Sequence, residues 1–202
     1  MRENGPRRYL AAIGGNQPNG PLSPVENVLS GLAALGPAGL HLTACSALYR
    51  TPAFPSGSGP DFVNAAMAFT SAMAPDEVME KMHLIEAAHN RERRERWAGR
   101  TLDLDLLDCD GIVQPDGETW RHWHDLAPER QRETAPGQLI LPHPRLHERA
   151  FVLVPLRDVA PAWRHPILAR TVAEMCADLP AREVDSVVRV ADPPCVSTSE
   201  SI

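Results

Sequence analysis

The stretch Arg100-Thr101-Leu102-Asp103-Leu104-Asp105-Leu106-Leu107 alternates leucine with aspartate at the period of a β-strand. Leu102, Leu104 and Leu106 share one face, and Asp103 and Asp105 share the other. Two carboxylates one step apart on a strand face repel each other, and the usual remedy is a divalent cation held by oxygen ligands. A wet acidic face is the plain alternative. Immediately upstream, residues 91–100 carry five arginines (Arg91, Arg93, Arg94, Arg96, Arg100) against two glutamates, a local charge of +3. Arginine matches phosphate oxygens better than lysine does, and Trp97 within the run offers a face for a base. An acidic strand fed by an arginine-rich, glycine-containing loop suits a polyphosphate and its magnesium.

Other chemistry-bearing residues are less specific. Gly14-Gly15-Asn16 follows a strand-like segment and permits a tight turn or a close backbone approach; as a motif it is weak, and a plain turn is the favoured reading. Asn64 is an amide on an otherwise apolar strand and shares a face with Phe62, so it is either satisfied internally or aimed at a ligand. His122-Trp123-His124 and the pair His143/His147 have metal-ligand residue types. No cysteine or spaced third ligand accompanies the first, which reads as an exposed amphipathic insertion, and Pro144 interrupts the second.

The chain has 202 residues, of which 43% are apolar, enough for one domain with a sizeable core plus an appendage. Its net charge of −6 disfavours bulk attraction to nucleic acid or to an anionic membrane. No segment is long and apolar enough to span a membrane, and the start lacks the apolar centre of a signal peptide. Cys45, Cys109, Cys176 and Cys195 are scattered without CxxC spacing, as expected of reduced thiols in a cytoplasmic protein.

The elements that must position these residues follow in order. Arg8–Ile13 reads as a strand. Ser23-Pro24-Val25-Glu26 is a capping box opening a helix with Val25, Val28, Leu29, Leu32 and Leu35 on its apolar face. Leu40–Tyr49 alternates as one strand, Ser56–Pro60 is a flexible loop, and 61–69 forms another strand. Pro75-Asp76-Glu77 opens a second helix that runs to about Asn90, with Val78, Met82, Ile85 and Ala88 as its stripe. After the aspartate strand, Asp110-Gly111 marks a hairpin turn. A polar insertion occupies about 114–137, Gln138–Leu141 resumes a strand, Phe151–Leu156 is buried core, and Thr171–Leu179 is a last helix. These divisions give an N-terminal lead (1–7), one domain (8–180), and a weakly ordered tail from 181.

Five motifs in order resemble the 6-hydroxymethyl-7,8-dihydropterin pyrophosphokinase family of folate biosynthesis. They are Ala12–Asn16, Tyr49–Pro52, Asp61–Ala65, Arg96–Asp105, and Leu141–Pro144 with Arg149 and Phe151. The resemblance implies a ferredoxin-like α/β fold with an antiparallel-rich sheet. It also implies a magnesium-dependent reaction in which ATP and the hydroxymethyl pterin give AMP and the pterin diphosphate. By the same resemblance Asp103 and Asp105 would bind two magnesium ions, and Arg91 and Arg100 would be catalytic-loop arginines. Arg91, Arg93, Trp97, Arg100, Leu106, His143 and Arg149 match nucleotide-binding positions. Thr51, Pro52, Phe54, Phe62, Asn64 and Phe151 match the pterin pocket. The sequence departs from the family's pattern at Gly15, where serine is common, at Gly99, where proline is frequent, and at Pro144, where tyrosine is frequent. Expected partners are ATP and the pterin, with no nucleic acid or membrane, and the expected state is a monomer. Two rivals remain: a ferredoxin-like RNA-binding module, which the acidic charge disfavours, and a two-metal nucleotidyltransferase, which would release pyrophosphate.

Overall fold

A computed structural model describes residues 5–53, 59–89, 100–127, 130 and 134–192. The strands are β1 (Arg7–Gly15), β2 (His41–Cys45), β3 (Leu48–Thr51), β4 (Phe62–Ser71), β5 (Asp103–Cys109) and β6 (Val188–Ala191). The helices are α1 (Pro24–Leu35), α2 (Pro75–Ala88), α3 (Gly117–His124), α4 (Ala150–Val159), α5 (Val172–Asp178) and α6 (Ala181–Asp185). The sheet order is β5-β1-β4-β3-β6, with β2 also paired to β4 and every pairing antiparallel. Two β-α-β units with the long β1 and β4 at the centre give the ferredoxin-like arrangement expected from the sequence.

Both sheet faces are covered. Tyr9, Ala11 and Ile13 of β1 face α1 and α2, joining Val28, Leu32, Val78, Met82, Leu102, Leu104 and Leu106 in one core. Leu10 of the same strand faces α4 and α5, with Ala66, Ala68, Leu107, Leu153, Leu156 and Met175 in a second core. Being buried on both sides, β1 and β4 read as nearly continuous apolar runs. The Ser23 capping box forms as the sequence predicts, Ser23 N–H donating to Glu26 at 2.8 Å. Gly31 lets α1 approach closely, since a β-carbon there would stand 2.8 Å from Leu102.

The β1–β5 register shifts between Leu10 and Ala11: Ala11 opposes Leu106, whereas Leu10 opposes Asp108, leaving Leu107 as the extra residue of a bulge.

Several expectations are corrected. Leu40–Tyr49 is two strands, broken at Ser46-Ala47, where the Ser46 hydroxyl accepts from Ala66 N–H at 2.9 Å. In α2 the buried row is completed by Glu86, while Ala88 is exposed. Asp110 and Gly111 both have positive φ (48° and 70°) and form a tight turn, but among the described residues no hairpin partner strand follows it. Gln138–Leu141 forms only an isolated bridge between Gln114 and Leu141. The segment expected as an exposed insertion carries a buried anchor, because Trp120 of α3 is 1% exposed and donates to Pro142 O at 2.7 Å. Phe151–Leu156 is helical, and Phe151 itself lies 38% exposed. The expected tail contains α6 and β6, which pairs with β3; its apolar alternation is too short to register against the polar sequence around it.

Candidate active site

The antiparallel register places the candidate residues in rows across one sheet face. Gly14 of β1 opposes Asp103 of β5 on one side and Asn64 of β4 on the other, and Asn64 opposes Tyr49 of β3. One step along, Ala12 opposes Asp105. Residues directly opposite in a sheet point the same way, so Asp103, Asp105, Asn64 and Thr51 share a face. It is the face that α4 packs against. Gly14 presents nothing between the aspartate and the amide; a β-carbon would overlap Asn64 Oδ1. Asn64, 9% exposed, donates to Thr51 Oγ1 at 2.7 Å, and Thr51 is opposite Phe62. Thr51, Phe62 and Asn64 therefore form one wall.

Each aspartate meets an arginine. Arg100 pairs with Asp103, and Arg149 Nη1 lies 3.7 Å from Asp105 Oδ2. The Asp103 and Asp105 side chains are 17% and 36% exposed, so both reach solvent. The Arg149 guanidinium also lies 5.7 Å over the Phe151 ring. This arrangement links Asp105 to the exposed aromatic of the first α4 turn.

Backbone contacts fix the aspartate strand from both sides. Glu86, 1% exposed on α2, accepts from Leu104 N–H at 2.8 Å, holding the residue between the two aspartates. Asn16 N–H and Gln17 N–H donate to Arg100 O at 2.9 and 3.1 Å. The Asn16 side chain accepts from Arg100 N–H at 2.9 Å and donates to Pro60 O at 3.0 Å. A β-carbon on Gly15 would overlap Thr101 O. The Gly14-Gly15-Asn16 turn is therefore a place of close approach rather than a plain turn. Glu86 was not singled out for function in the sequence, and Asn16 entered only as the end of the Gly14-Gly15-Asn16 motif, with no role of its own. An acid inside an apolar helical stripe is the signal for Glu86; Asn16 offered none beyond its two glycines.

His143 sits beside this cluster. Its N–H donates to Leu107 O at 2.8 Å, and its Nδ1 accepts from Arg145 N–H at 3.1 Å. Burial, reinforced by the nearby Arg149 and Arg145 charges, pushes its pKa down to about 3. The ring is neutral with its proton on Nε2, and so presents a donor. His147 lies in a 3-10 turn (Leu146–Glu148), not a zincin-type helix, and stacks on His124 at 4.5 Å. Among the described residues no group of three or more His, Cys, Asp or Glu is placed to hold a metal. The face-to-face His124 and His147 rings agree with this.

The structure thus brings together Arg100, Asp103, Asp105 and Arg149, and separately Thr51, Phe62 and Asn64, with Gly14 between the groups. Pro52 is exposed beside Thr51, and Leu106 is buried on the opposite face, inside the α1/α2 core, so its side chain does not join the row. Arg91, Arg93, Trp97 and Phe54 lie outside the described residues. Asp103 and Asp105 are hard oxygen donors on one accessible face, as a magnesium ion requires. As only two carboxylates, they leave coordination positions for phosphate oxygens and water.

The family model of 7,8-dihydro-6-hydroxymethylpterin-pyrophosphokinase matches residues 10–161. The chain belongs to this family. Curated pyrophosphokinases that it resembles include one from Synechocystis sp., 32% identical over 168 residues, covering 82% of this chain and 73% of the relative. Another, from Methylorubrum extorquens, is 34% identical over 149 residues, covering 74% and 80%. Both bear the name 2-amino-4-hydroxy-6-hydroxymethyldihydropteridine pyrophosphokinase. Among solved structures, wild-type Plasmodium falciparum HPPK-DHPS superposes with a TM-score of 0.59 at 14% identity, over 88% of this chain. The match spans 42% of that longer protein, and the likeness carries the fold alone.

Proposed function

We propose that this protein transfers diphosphate from ATP to the hydroxymethyl group of 6-hydroxymethyl-7,8-dihydropterin, releasing AMP, within folate biosynthesis. The observation that carries the reading is the row Asp103–Gly14–Asn64. It sets an acidic, arginine-flanked face beside an amide-and-aromatic wall, with Gly14 between them leaving room for the Asn64 carboxamide. A flat pterin ring suits the wall, where Phe62 supplies a face and the Asn64–Thr51 pair supplies edge hydrogen bonds. Phe151, exposed at the α4 start, is the candidate for the opposite ring face.

The hydroxymethyl oxygen, giving up its proton to solvent, bonds to the β-phosphorus as the bond between that phosphorus and the α,β-bridging oxygen breaks, and AMP departs. Asp103 and Asp105 would hold magnesium, which supplies charge neutralisation and alignment of the β- and γ-phosphates. Arg100 and Arg149, beside the two carboxylates, would hold phosphate oxygens, to which planar guanidinium groups make paired hydrogen bonds. Neutral His143 offers its Nε2–H to the nucleotide. Trp97, Arg91 and Arg93 complete the nucleotide side, and Pro52 and Phe54 the pterin side. A cytoplasmic monomer belongs to the same reading.

The deciding experiment measures AMP with ATP, pterin and magnesium supplied together and with each omitted in turn. AMP that needs all three supports the reading. Pyrophosphate in place of AMP would instead indicate nucleotidyl transfer, and AMP formation without the pterin would overturn the proposed acceptor.

A further inference from the structure

Asn16 joins two chain segments, one at Pro60 and one at Arg100. Asn16 is 3% exposed, and both ends of its amide are bonded: Oδ1 accepts from Arg100 N–H at 2.9 Å while Nδ2 donates to Pro60 O at 3.0 Å. Its own N–H donates to Arg100 O at 2.9 Å, so one residue grips both backbone polar groups of Arg100. Arg100 then reaches Asp103 with its guanidinium. Pro60 leads directly into β4, whose first residues include Phe62 and Asn64. Gly15, immediately before, packs so tightly on Thr101 O that the position of this contact is fixed by backbone rather than by a flexible side chain.

We propose that Asn16 is a positioning residue for the reaction, resting on the function proposed above. Through Oδ1 it sets the backbone from which Arg100 reaches the aspartate–phosphate side. Through Nδ2 it ties that setting to the strand start carrying the pterin wall. The two ends of one amide thus serve the two substrates separately. A buried amide bonded at both ends adds to what the chain path requires, because the segment leaving β1 is already tied down by the main-chain bonds from Asn16 and Gln17 N–H to Arg100 O.

The two functions separate by substitution. Asn16→Ala removes both contacts, whereas Asn16→Asp keeps the acceptor for Arg100 N–H and places an acceptor against Pro60 O. Steady-state kinetics, binding of a non-hydrolysable ATP analogue with magnesium, and melting of the unliganded proteins are measured for both. Asn16→Ala is expected to lower kcat about 10- to 100-fold, with analogue affinity changed less than about threefold. Asn16→Asp is expected to keep kcat within about threefold of wild type while raising KM for the pterin about tenfold. Equal losses of kcat in both variants, tracking their melting temperatures, would show that Asn16 only supports the fold. Wild-type kinetics in both would equally overturn the proposal. A wild-type protein that binds the analogue but forms no AMP would instead defeat the underlying reaction, an outcome distinguishable from either.

Discussion

Gly14 lies directly opposite Asn64 across the β1–β4 ladder, and the Asn64 carboxamide occupies the space where a Gly14 side chain would stand. Gly14→Ala must displace Asn64 and break its bond to Thr51. Overpacking of this kind costs about 1–3 kcal/mol. The expected outcome is a lowered melting temperature together with at least a tenfold rise in KM for the pterin. Calorimetry and kinetics on the same preparation check both. An unchanged KM would remove Asn64 from the pterin wall.

Asp103→Ala and Asp105→Ala should each reduce AMP formation by about 10³-fold or more, since charge neutralisation of a transferring phosphoryl group is a dominant rate term. Circular dichroism should show both variants folded, because neither aspartate belongs to an apolar core and their side chains are 17% and 36% exposed. Turnover near wild type in either variant refutes the metal role.

Arg100→Ala should lower kcat much more than it weakens ATP binding, as expected for a contact that strengthens in the transition state. Pre-steady-state chemistry and equilibrium titration separate the two quantities. Equal losses would place Arg100 in ground-state binding.

Acid should destabilise the fold through His165. This ring is fully buried, its Nδ1 accepts from Ile167 and Leu168 N–H at 3.2 Å each, and burial pushes its pKa down to about 4. The unfolded chain binds the proton more readily, near pH 6.5. The stabilisation is therefore complete above pH 6.5 and is lost as pH falls from there toward 4. At pH 5 the loss is about 2 kcal/mol, and His143 adds a loss of the same sign. Urea denaturation of wild type and His165→Asn from pH 7.5 to 4.5 should show a shallower slope in the variant.

Asp108 acts in the opposite direction. It is 2% exposed, accepts from Trp163 Nε1 and Gly111 N–H at 3.0 Å each, and burial pushes its pKa up to about 6. Its contribution is fully present below pH 3.8 and is lost as pH rises through 6, where the carboxylate must carry its charge in a buried site. Asp108→Asn should stabilise the protein by about 1–2 kcal/mol at pH 8 and by nothing at pH 4, as read from denaturant midpoints.

Much of this architecture was legible in the sequence because it rests on local signals. The leucine–aspartate alternation, the Ser23 capping box and the apolar run of β4 each specify an element and its buried face. What escaped depended on contacts between distant segments. The break at Ser46-Ala47 arises because Ser46 bonds Ala66, twenty residues away. Trp120 looked like part of a polar insertion because its burial depends on the carbonyl of Pro142. The row joining Asp103, Gly14 and Asn64 is a matter of register, which no single strand reveals. Asn16 and Glu86 hold backbone atoms of the aspartate segment, and side chain to backbone bonds across long separations leave no spacing to read.

The doubled leucine that interrupts the alternation of β5 works as a frameshift in three dimensions. Leu106 anchors in the layer beneath α1 and α2, and its neighbour Leu107 anchors in the layer beneath α4 and α5. Strict alternation would send Asp108 into the larger apolar layer; the extra residue moves it to the face of Asp105 and returns Cys109 to the Tyr9 side. A one-residue insertion has thus changed the destiny of everything downstream while leaving the phase of Asp103 and Asp105 untouched. The far half of this strand, including its buried acid, is thereby uncoupled in facing from the carboxylate pair upstream.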